Sequence, residues 1–203
     1  MAKTPPQIDV LVLGEHPSAY LAAALLAQAG KLRVLHTTIP KDAQSDRLVI
    51  INPEFFKLHP LVEPLRRKLD LTAAYGLQFL SEDPEIRGEY RHKSTLAYIA
   101  SYKAVRAAMM SVAEAQGVEM VTPKTLQIHR LDERGAEVTV GKTAVRPKML
   151  VLGGLLPEAQ QKLLGLPESW GTDVVHRYTF LKLPGTKWAE LGSRPTIPMC
   201  LNL

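Results

Sequence analysis

The sequence predicts an α/β fold, and three observations lead to that prediction. Residues 8–36 read as a strand, a tight turn, a helix and a second strand, a βαβ unit close to the ~30 residues that such units need. Residues 128–140 read as a β-hairpin around the turn DERGA. Residues 148–152, which are apolar after Lys148, predict a buried strand that leads directly into Gly153 and Gly154. Together these elements indicate a Rossmann-like domain.

The first unit is the part of the chain that the sequence determines best. Residues 8–13 are almost wholly apolar, which is typical of a parallel strand that is covered on both faces. Residues 14–18 break the strand, and residues 19–29 are nearly all good helix formers. Gly30 is a natural helix end, and residues 32–35 resume an apolar strand.

The middle of the chain predicts shorter elements. Residues 37–46 are polar and predict a loop. Residues 52–71 have a helical pattern that Pro60 and Pro64 interrupt, which predicts two short helices or one kinked helix. Residues 76–90 predict a short strand and a turn.

Residues 98–116 predict a long amphipathic helix that Gly117 ends, and residues 118–121 supply the next strand. The apolar face of that helix contains Val105, Met109, Val112 and Ala113.

Two domains are predicted. Residues 1–170 form a Rossmann-like dinucleotide-binding domain with a β-meander near residues 126–147. Residues 171–203 start a second β-sheet, in which YTFLKL and TIPMCLNL read as strands. The chain stops inside the last of these, which would leave a raw sheet edge, so the second sheet is expected to be incomplete. A partial chain, a domain completed by another subunit and a truncated relative all account for this pattern.

Composition narrows the function classes. The chain has 203 residues with 46% hydrophobic residues and no apolar run of the roughly 18 residues that span a bilayer. The first seven residues are polar and the apolar run after them is too short for a signal peptide, so we expect a cytoplasmic protein. The single cysteine, Cys200, excludes an internal disulfide, and apolar packing is its expected role.

The formal net charge of +5 does not predict a nucleic-acid partner, because the basic residues occur in short groups interrupted by acids or apolar positions. These groups are Arg66, Arg67 and Lys68, then Arg87, Arg91, His92 and Lys93. We expect them to be solvated surface residues. The six histidines do not have zinc-site spacing, so no metal site is predicted.

The turn after the first strand matches a dinucleotide-binding turn only in part. Such a turn uses its first glycine for the tight bend, its second for close approach to the pyrophosphate, and a small third residue for packing. Gly14 and Ala19 suit the first and third roles, but His16 occupies the second. The backbone amides at the start of the helix, with Pro17 and Ser18, could still bind an anion.

The second strand shows a further departure. An acidic residue normally follows that strand and bonds the ribose, whereas here the expected position holds His36. A βαβ unit that binds no dinucleotide therefore stays an open alternative. His16 and His36 could also converge around a bound anion, because both lie at the carboxyl ends of adjacent strands.

The order of elements resembles FAD-dependent oxidoreductases of the p-hydroxybenzoate hydroxylase and geranylgeranyl reductase group. Their GxGPAGLAAALLLAxxG stretch is similar to residues 14–30, and SYKAVRAAMMSVAEAQGVEMV is similar to their later helix and strand. The hairpin IHRLDERGAEVTV, followed by TAVRPKMLVLGG, resembles their β-meander and final core strand. The resemblance covers residues 8–165.

This resemblance implies FAD as the cofactor. It places the AMP end of the flavin over residues 14–19, with Ser18 and adjacent amides at the pyrophosphate and His36 at the ribose. Gly153 and Gly154 would border the site from the far strand.

The chain also departs from the group. GGLL stands where those proteins have a Gly-Ala-Asp-Gly turn, and their later Gly-Asp segment does not occur in this chain. The catalytic residues therefore stay unknown. Tyr102 and Arg106 lie where relatives place a polar or arginine contact to the flavin, and we expect them to be surface helix residues.

Three functions follow as hypotheses. The first is an FAD-dependent oxidoreductase of the monooxygenase or reductase type, as an N-terminal portion or a shortened, diverged member, with a small-molecule substrate or a completing protein chain as partner. The second is a non-catalytic Rossmann-like scaffold or interaction protein that has lost flavin binding. The third is an NAD(P)-binding protein in which His36 with Arg33 or Lys41 accommodates a 2′-phosphate.

Overall fold

The fold is given by a computed structural model, which describes residues 7–30, 32–38, 47–80, 87–153, 158–166 and 197–200. The chain divides into two compact units. The first contains Met1–Ser45 and Val105–His176, and the second contains Asp46–Ala104 and Arg177–Leu203. The predicted domain boundary at residue 170 stays a prediction, because residues 167–196 lie outside the described residues.

Within the described residues the strands, in chain order, are β1 (Gln7–Leu13), β2 (Val34–Thr37), β3 (Leu48–Ile51), β4 (Thr72–Ala74), β5 (Gly76–Leu80), β6 (Arg87–Arg91), β7 (Ala97–Ser101), β8 (Glu119–Val121), β9 (Leu126–Asp132), β10 (Gly135–Val140), β11 (Thr143–Leu152) and β12 (Ile197–Cys200). The α-helices are α1 (Pro17–Gly30), α2 (Leu65–Lys68), α3 (Tyr102–Ala115) and α4 (Glu158–Leu163), and Pro53–Lys57 is a 3₁₀ helix. None of the described helices is both long and apolar enough to cross a bilayer.

The first unit contains a six-stranded sheet in the order β8-β2-β1-β11-β10-β9. Strands β8, β2, β1 and β11 are parallel, and β11, β10 and β9 form an antiparallel meander. Leu13 at the end of β1 is in register with Thr37 of β2 and with Leu152 of β11. The carboxyl ends of these three strands therefore meet at one edge of the sheet, where ligands bind in open α/β folds.

The two faces of β1 pack against different elements. Leu11 and Leu13 belong to a buried cluster with Ile128 and Val138 of the meander. Because side chains alternate along a strand, Val12 faces the opposite side, where α1 contributes buried alanines and a buried tyrosine: Ala19, Tyr20, Ala23 and Ala24. The apolar pattern of residues 8–13 is explained by this two-sided burial, as the sequence predicted.

The second unit contains two three-stranded sheets, in the orders β3-β7-β4 and β12-β5-β6. Strand β7 occupies residues that the sequence assigned to the long helix, so that helix begins at Tyr102 and not at residue 98. The physical reason is that β7 pairs with β3 on one side and β4 on the other. Strands β3 and β4 were not predicted, since both are short and pair across long sequence separations.

Other local predictions in the second unit are confirmed. Two short helical segments lie on either side of Pro60, as the prolines required. Strands β5 and β6 form an antiparallel hairpin. Strand β12 confirms part of the predicted strand TIPMCLNL and pairs in parallel with β5, whereas the predicted strand YTFLKL lies outside the described residues.

Candidate functional site

The turn between β1 and α1 begins at a glycine that the backbone requires. Gly14 has φ = +134°, a value that side-chain-bearing residues rarely adopt. Its backbone N–H donates to the carbonyl of Thr37 at 3.0 Å, which ties the turn to the end of β2. The sequence prediction for Gly14, a tight bend directly after the strand, matches this geometry.

A second glycine closes the turn from the side of β11. The N–H of Gly153 donates to the carbonyl of Leu13 at 2.6 Å. A Cβ atom at Gly153 would overlap the Cβ of Ala19 and lie 2.9 Å from its Cα. The start of α1 therefore packs directly on the end of β11, and both residues must be small. We call Gly14, Ala19 and Gly153 the glycine cradle.

His16 acts as the N-terminal cap of α1. Its Nδ1 atom lies 2.7 Å from the Ser18 hydroxyl and accepts the Ser18 backbone N–H at 3.3 Å. Pro17 begins the helix and has no N–H, and the Ala19 N–H donates to the His16 carbonyl at 2.8 Å. The N–H groups of Ser18 and Ala19 are thus bonded within the turn. The capping position, which Asp, Asn or Ser ordinarily occupies, holds His16.

An ion pair joins this turn to α3. Arg106 Nη2 lies 3.7 Å from Glu15 Oε2, and both side chains are only partly exposed. Arg106 Nε also donates to the Tyr20 hydroxyl at 3.2 Å. The resemblance put a flavin contact of the relatives near Arg106, but we expected Arg106 to be a surface helix residue and did not single out Glu15. The signal that could have found it is an acidic residue directly after Gly14, in a turn expected to hold phosphate.

His36 lies inside the protein. Its ring is 1% exposed and stacks on the ring of Tyr20 with centroids 4.2 Å apart. Burial lowers the pKa of His36 from its ordinary 6.5 to about 4; a backbone hydrogen bond with Gly14 opposes this shift, and the charge of Arg106 adds to it. Its Nε2 atom has no hydrogen-bond partner in the described part of the chain.

The position of His36 differs from the sequence expectation in one respect. Strand β2 continues to Thr37, so His36 is the penultimate residue of the strand and not the residue at its end. His36 is in register with Val12, on the face that α1 covers. His16 is exposed and His36 is buried, so the two histidines, which the sequence allowed to converge on an anion, lie in different environments.

The sequence-predicted site residues that the structure describes are Gly14, His16, Pro17, Ser18, Ala19, His36 and Gly153. Gly154 lies outside the described residues. The residues from 14 to 19 form one continuous turn and helix start, and Gly153 reaches it from β11. Among the described residues no group of three or more His, Cys, Asp or Glu side chains is placed to hold a metal ion.

The backbone of this site suits a dinucleotide better than its side chains do. The glycine cradle packs the start of a 14-residue helix against the ends of β1 and β11, which is the backbone arrangement of a dinucleotide-binding turn. In contrast, the His16 ring accepts the hydrogen bond of the Ser18 amide, and Glu15 places a negative charge in the turn. A bound pyrophosphate would have to displace the first of these groups and tolerate the second.

Comparison with known proteins gives similarity in structure alone. No protein-family model matches the sequence, and no curated protein matches it. The fold is similar to PqsL from Pseudomonas aeruginosa, named as a probable FAD-dependent monooxygenase, with a TM-score of 0.60 and 18% identity over 86% of this chain and 48% of that one.

Two further solved structures have the same fold. A geranylgeranyl bacteriochlorophyll reductase-like protein from Thermoplasma acidophilum has a TM-score of 0.58 and 16% identity, over 79% of this chain and 42% of that one. The halogenase PltM, solved with phloroglucinol and FAD, has a TM-score of 0.60 and 18% identity, over 82% of this chain and 38% of that one.

These similarities confirm the predicted α/β, Rossmann-like fold and the predicted resemblance at the level of the fold. The chain spans less than half the length of the three solved structures.

Proposed function

We propose that this chain is the FAD-binding part of an oxidoreductase of the monooxygenase or reductase type. The observation that supports this proposal best is the glycine cradle, which lies at the aligned carboxyl ends of β1 and β11. A helix N-terminus next to such a cradle is the usual place for the pyrophosphate of a dinucleotide. The structural neighbours that share the sheet include proteins named for FAD.

In this proposal the residues of the turn hold the AMP end of the flavin. Gly14 forms the bend beside the pyrophosphate, and the Ser18 amide reaches the pyrophosphate once the His16 ring has moved away. Gly153 borders the ligand after β11, and Gly154 stays a proposed contact. His36 is the ribose-side residue, and its unpartnered Nε2 atom is the group we assign to that contact. Because the ring is stacked on Tyr20, it must turn outward to reach a ribose hydroxyl.

The chemistry of such a protein is supplied mainly by the flavin, which exchanges electrons with a reductant and a substrate when it is bound. The contribution of this chain is to bind and orient the adenosine and pyrophosphate half. We assign no catalytic residue. The substrate is proposed to be a small molecule.

The solved structures named for FAD are longer than this chain, which covers 48% and 38% of them. We propose that a completing segment, in the same protein or in a partner chain, supplies the rest of the flavin and substrate sites. The fraction of the neighbours that this chain spans supports that proposal. The cytoplasmic location stays a proposal that rests on the sequence.

One observation favours a second function. His16 bonds the amide and hydroxyl of Ser18, so the turn caps itself without a ligand. A Rossmann-like scaffold that has lost flavin binding and acts as an interaction protein would have this property. The two functions differ in whether FAD is retained.

The test is an absorbance scan of the purified protein in the near-ultraviolet and visible range, repeated after incubation with excess FAD and gel filtration. The proposal expects flavin bands that travel with the protein. A colourless protein that retains no FAD, and that shows no heat on titration with FAD, would contradict it and favour the scaffold.

A further inference from the structure

We propose that Glu15 is an internal competitor of the dinucleotide pyrophosphate and sets the affinity of the turn for phosphate-bearing ligands. This inference rests on the proposed function, since it concerns the same turn. It assigns a role to a residue that neither the sequence pattern nor the resemblance identified.

The first argument is the position of the carboxylate. Glu15 directly follows Gly14 and lies two residues before Pro17, the first residue of α1. The N-terminus of a helix carries the equivalent of about half a positive charge, which stabilises an anion within the first turn. A pyrophosphate at this place uses the same stabilisation, so the Glu15 carboxylate provides in advance the negative charge that the ligand would bring.

The second argument is the cation that the carboxylate holds. Arg106 reaches the turn from α3 and lies 3.7 Å from Glu15 Oε2. The Tyr20 hydroxyl accepts a hydrogen bond from Arg106 Nε and keeps the guanidinium at this end of α1. Arginine is well suited to bind phosphate oxygens, but here a carboxylate shares its charge.

The third argument concerns magnitude. The Glu15 and Arg106 side chains are 23% and 35% exposed, so water screens their charges less than it screens fully exposed ones. A pyrophosphate bound at the helix start would lie within a few ångströms of the carboxylate. Repulsion between two unit charges about 4 Å apart changes affinity by roughly fivefold in water and by roughly a thousandfold at the effective dielectric of a protein surface. Because Arg106 offsets part of the carboxylate charge, we expect a change of about tenfold.

The experiment compares Glu15→Gln with wild type and with a matched control, Glu114→Gln. Glutamine keeps the shape of the side chain and removes its charge. Glu114 is exposed near the end of α3, the helix that carries Arg106. Its replacement changes the net charge by the same amount as Glu15→Gln and leaves the turn unchanged. Dissociation constants for FAD, ADP and adenosine are measured by titration calorimetry, and thermal unfolding verifies that each variant is folded.

The proposal expects Glu15→Gln to bind FAD and ADP about tenfold more tightly than wild type. Adenosine, which has no phosphate, should change by less than about twofold, because the effect is a charge effect on phosphate. Glu114→Gln should match wild type with all three ligands. A merely structural role of Glu15 would change adenosine binding together with the others.

Two results would overturn the inference, and only the second would also overturn the proposed function. Equal FAD affinity in wild type and Glu15→Gln would overturn the role of Glu15 and leave the flavin proposal in place. The second result is that neither FAD nor ADP binds to wild type, to Glu15→Gln or to the variant that combines Glu15→Gln with His16→Gly. This result would overturn the role of Glu15 and the flavin proposal together.

Discussion

The glycine cradle and the side chains that line it differ in what they are suited to hold. The cradle, formed by Gly14, Ala19 and Gly153, brings the ends of β1 and β11 against the start of α1 with no room for a Cβ at Gly153. The polar lining is formed by Glu15, His16 and Arg106. In it, His16 caps the helix and Glu15 forms an ion pair with Arg106.

This difference shows that backbone geometry and side-chain chemistry in this turn are separable. The cradle is constrained by packing, because a larger residue at Gly153 would displace α1 whatever the ligand. The lining is constrained less by packing, because His16 is exposed and Glu15 and Arg106 are partly exposed. A chain can therefore keep the cradle for stability while the lining weakens or abolishes phosphate binding, and the following variants test the two sets separately.

The largest effect is expected for Gly14→Val in the cradle. Its φ of +134° is strained for a β-branched residue, so dinucleotide binding should be lost and unfolding should become easier by about 1–3 kcal/mol. Binding is measured by FAD titration and stability by urea denaturation. Gly117→Val is the matched control: it has φ = +80° at the end of α3 in open space, and it should cost stability but not binding. Undiminished FAD binding by Gly14→Val would remove the turn from the site.

The next effect concerns His36, which lies against the turn. Its pKa of about 4 in the folded state is below the ordinary 6.5, so the unfolded chain takes up a proton first as the pH falls. The stabilisation is complete above pH 6.5 and is lost as the pH falls toward 4, by about 3 kcal/mol. Urea denaturation at several pH values measures this slope.

His36→Leu should remove that part of the pH dependence, since leucine does not titrate. The control is His129→Gln, which replaces an exposed histidine on β9 and should keep the wild-type slope. If wild type and His36→Leu lose stability in parallel between pH 6.5 and pH 4, the buried ring is not the group responsible.

A smaller effect is expected for Gly153→Ala. The added Cβ overlaps the Ala19 side chain, and overpacking of this kind costs about 1–3 kcal/mol. Ala19→Gly removes the opposing Cβ, at a cost of its own of about 1 kcal/mol in a helix. The double variant should therefore be more stable than the sum of the two single changes predicts. Simple additivity in thermal unfolding would show that the two residues do not pack as described.

The smallest effect is expected for His16→Gly in the lining. Glycine is an acceptable N-cap, so stability should fall by only a few tenths of a kcal/mol. Removal of the ring exposes the Ser18 amide, and FAD should bind several-fold more tightly, as fluorescence titration of the flavin measures. His16→Ser retains a capping oxygen and serves as the intermediate case. Unchanged FAD affinity in both variants would count against a pyrophosphate position over Ser18.

The sequence predicted the fold best where neighbouring residues decide it. The βαβ unit and the hairpin follow from the local periodicity of apolar residues. Gly14 and Gly30 mark the end of the first strand and the end of the first helix. Strand β7 was missed because its residues continue the apolar pattern of α3 without a break. Its strand character comes from pairing with β3 and β4, which local periodicity does not report.

The same limit applies to the site. The sequence singled out Gly14, His16 and Ala19 as candidates, because their spacing after a strand carries the signal, and their role in binding stays a prediction. It placed His36 one residue too close to the end of β2. Glu15 was not identified, since the importance of an acid at that position appears only when Arg106 is seen beside it.

What the sequence by itself determined is therefore the α/β order of elements and the backbone turn after β1. Only the tertiary structure decided that Gly153 must be small against Ala19, that Arg106 pairs with Glu15, and that His36 is buried on Tyr20. The physical reason is the distance along the chain over which each effect acts. The periodicity of apolar residues and the conformation of glycine act within a few residues. Packing and charge act between elements that the chain brings together only when the sheet and its helices have formed.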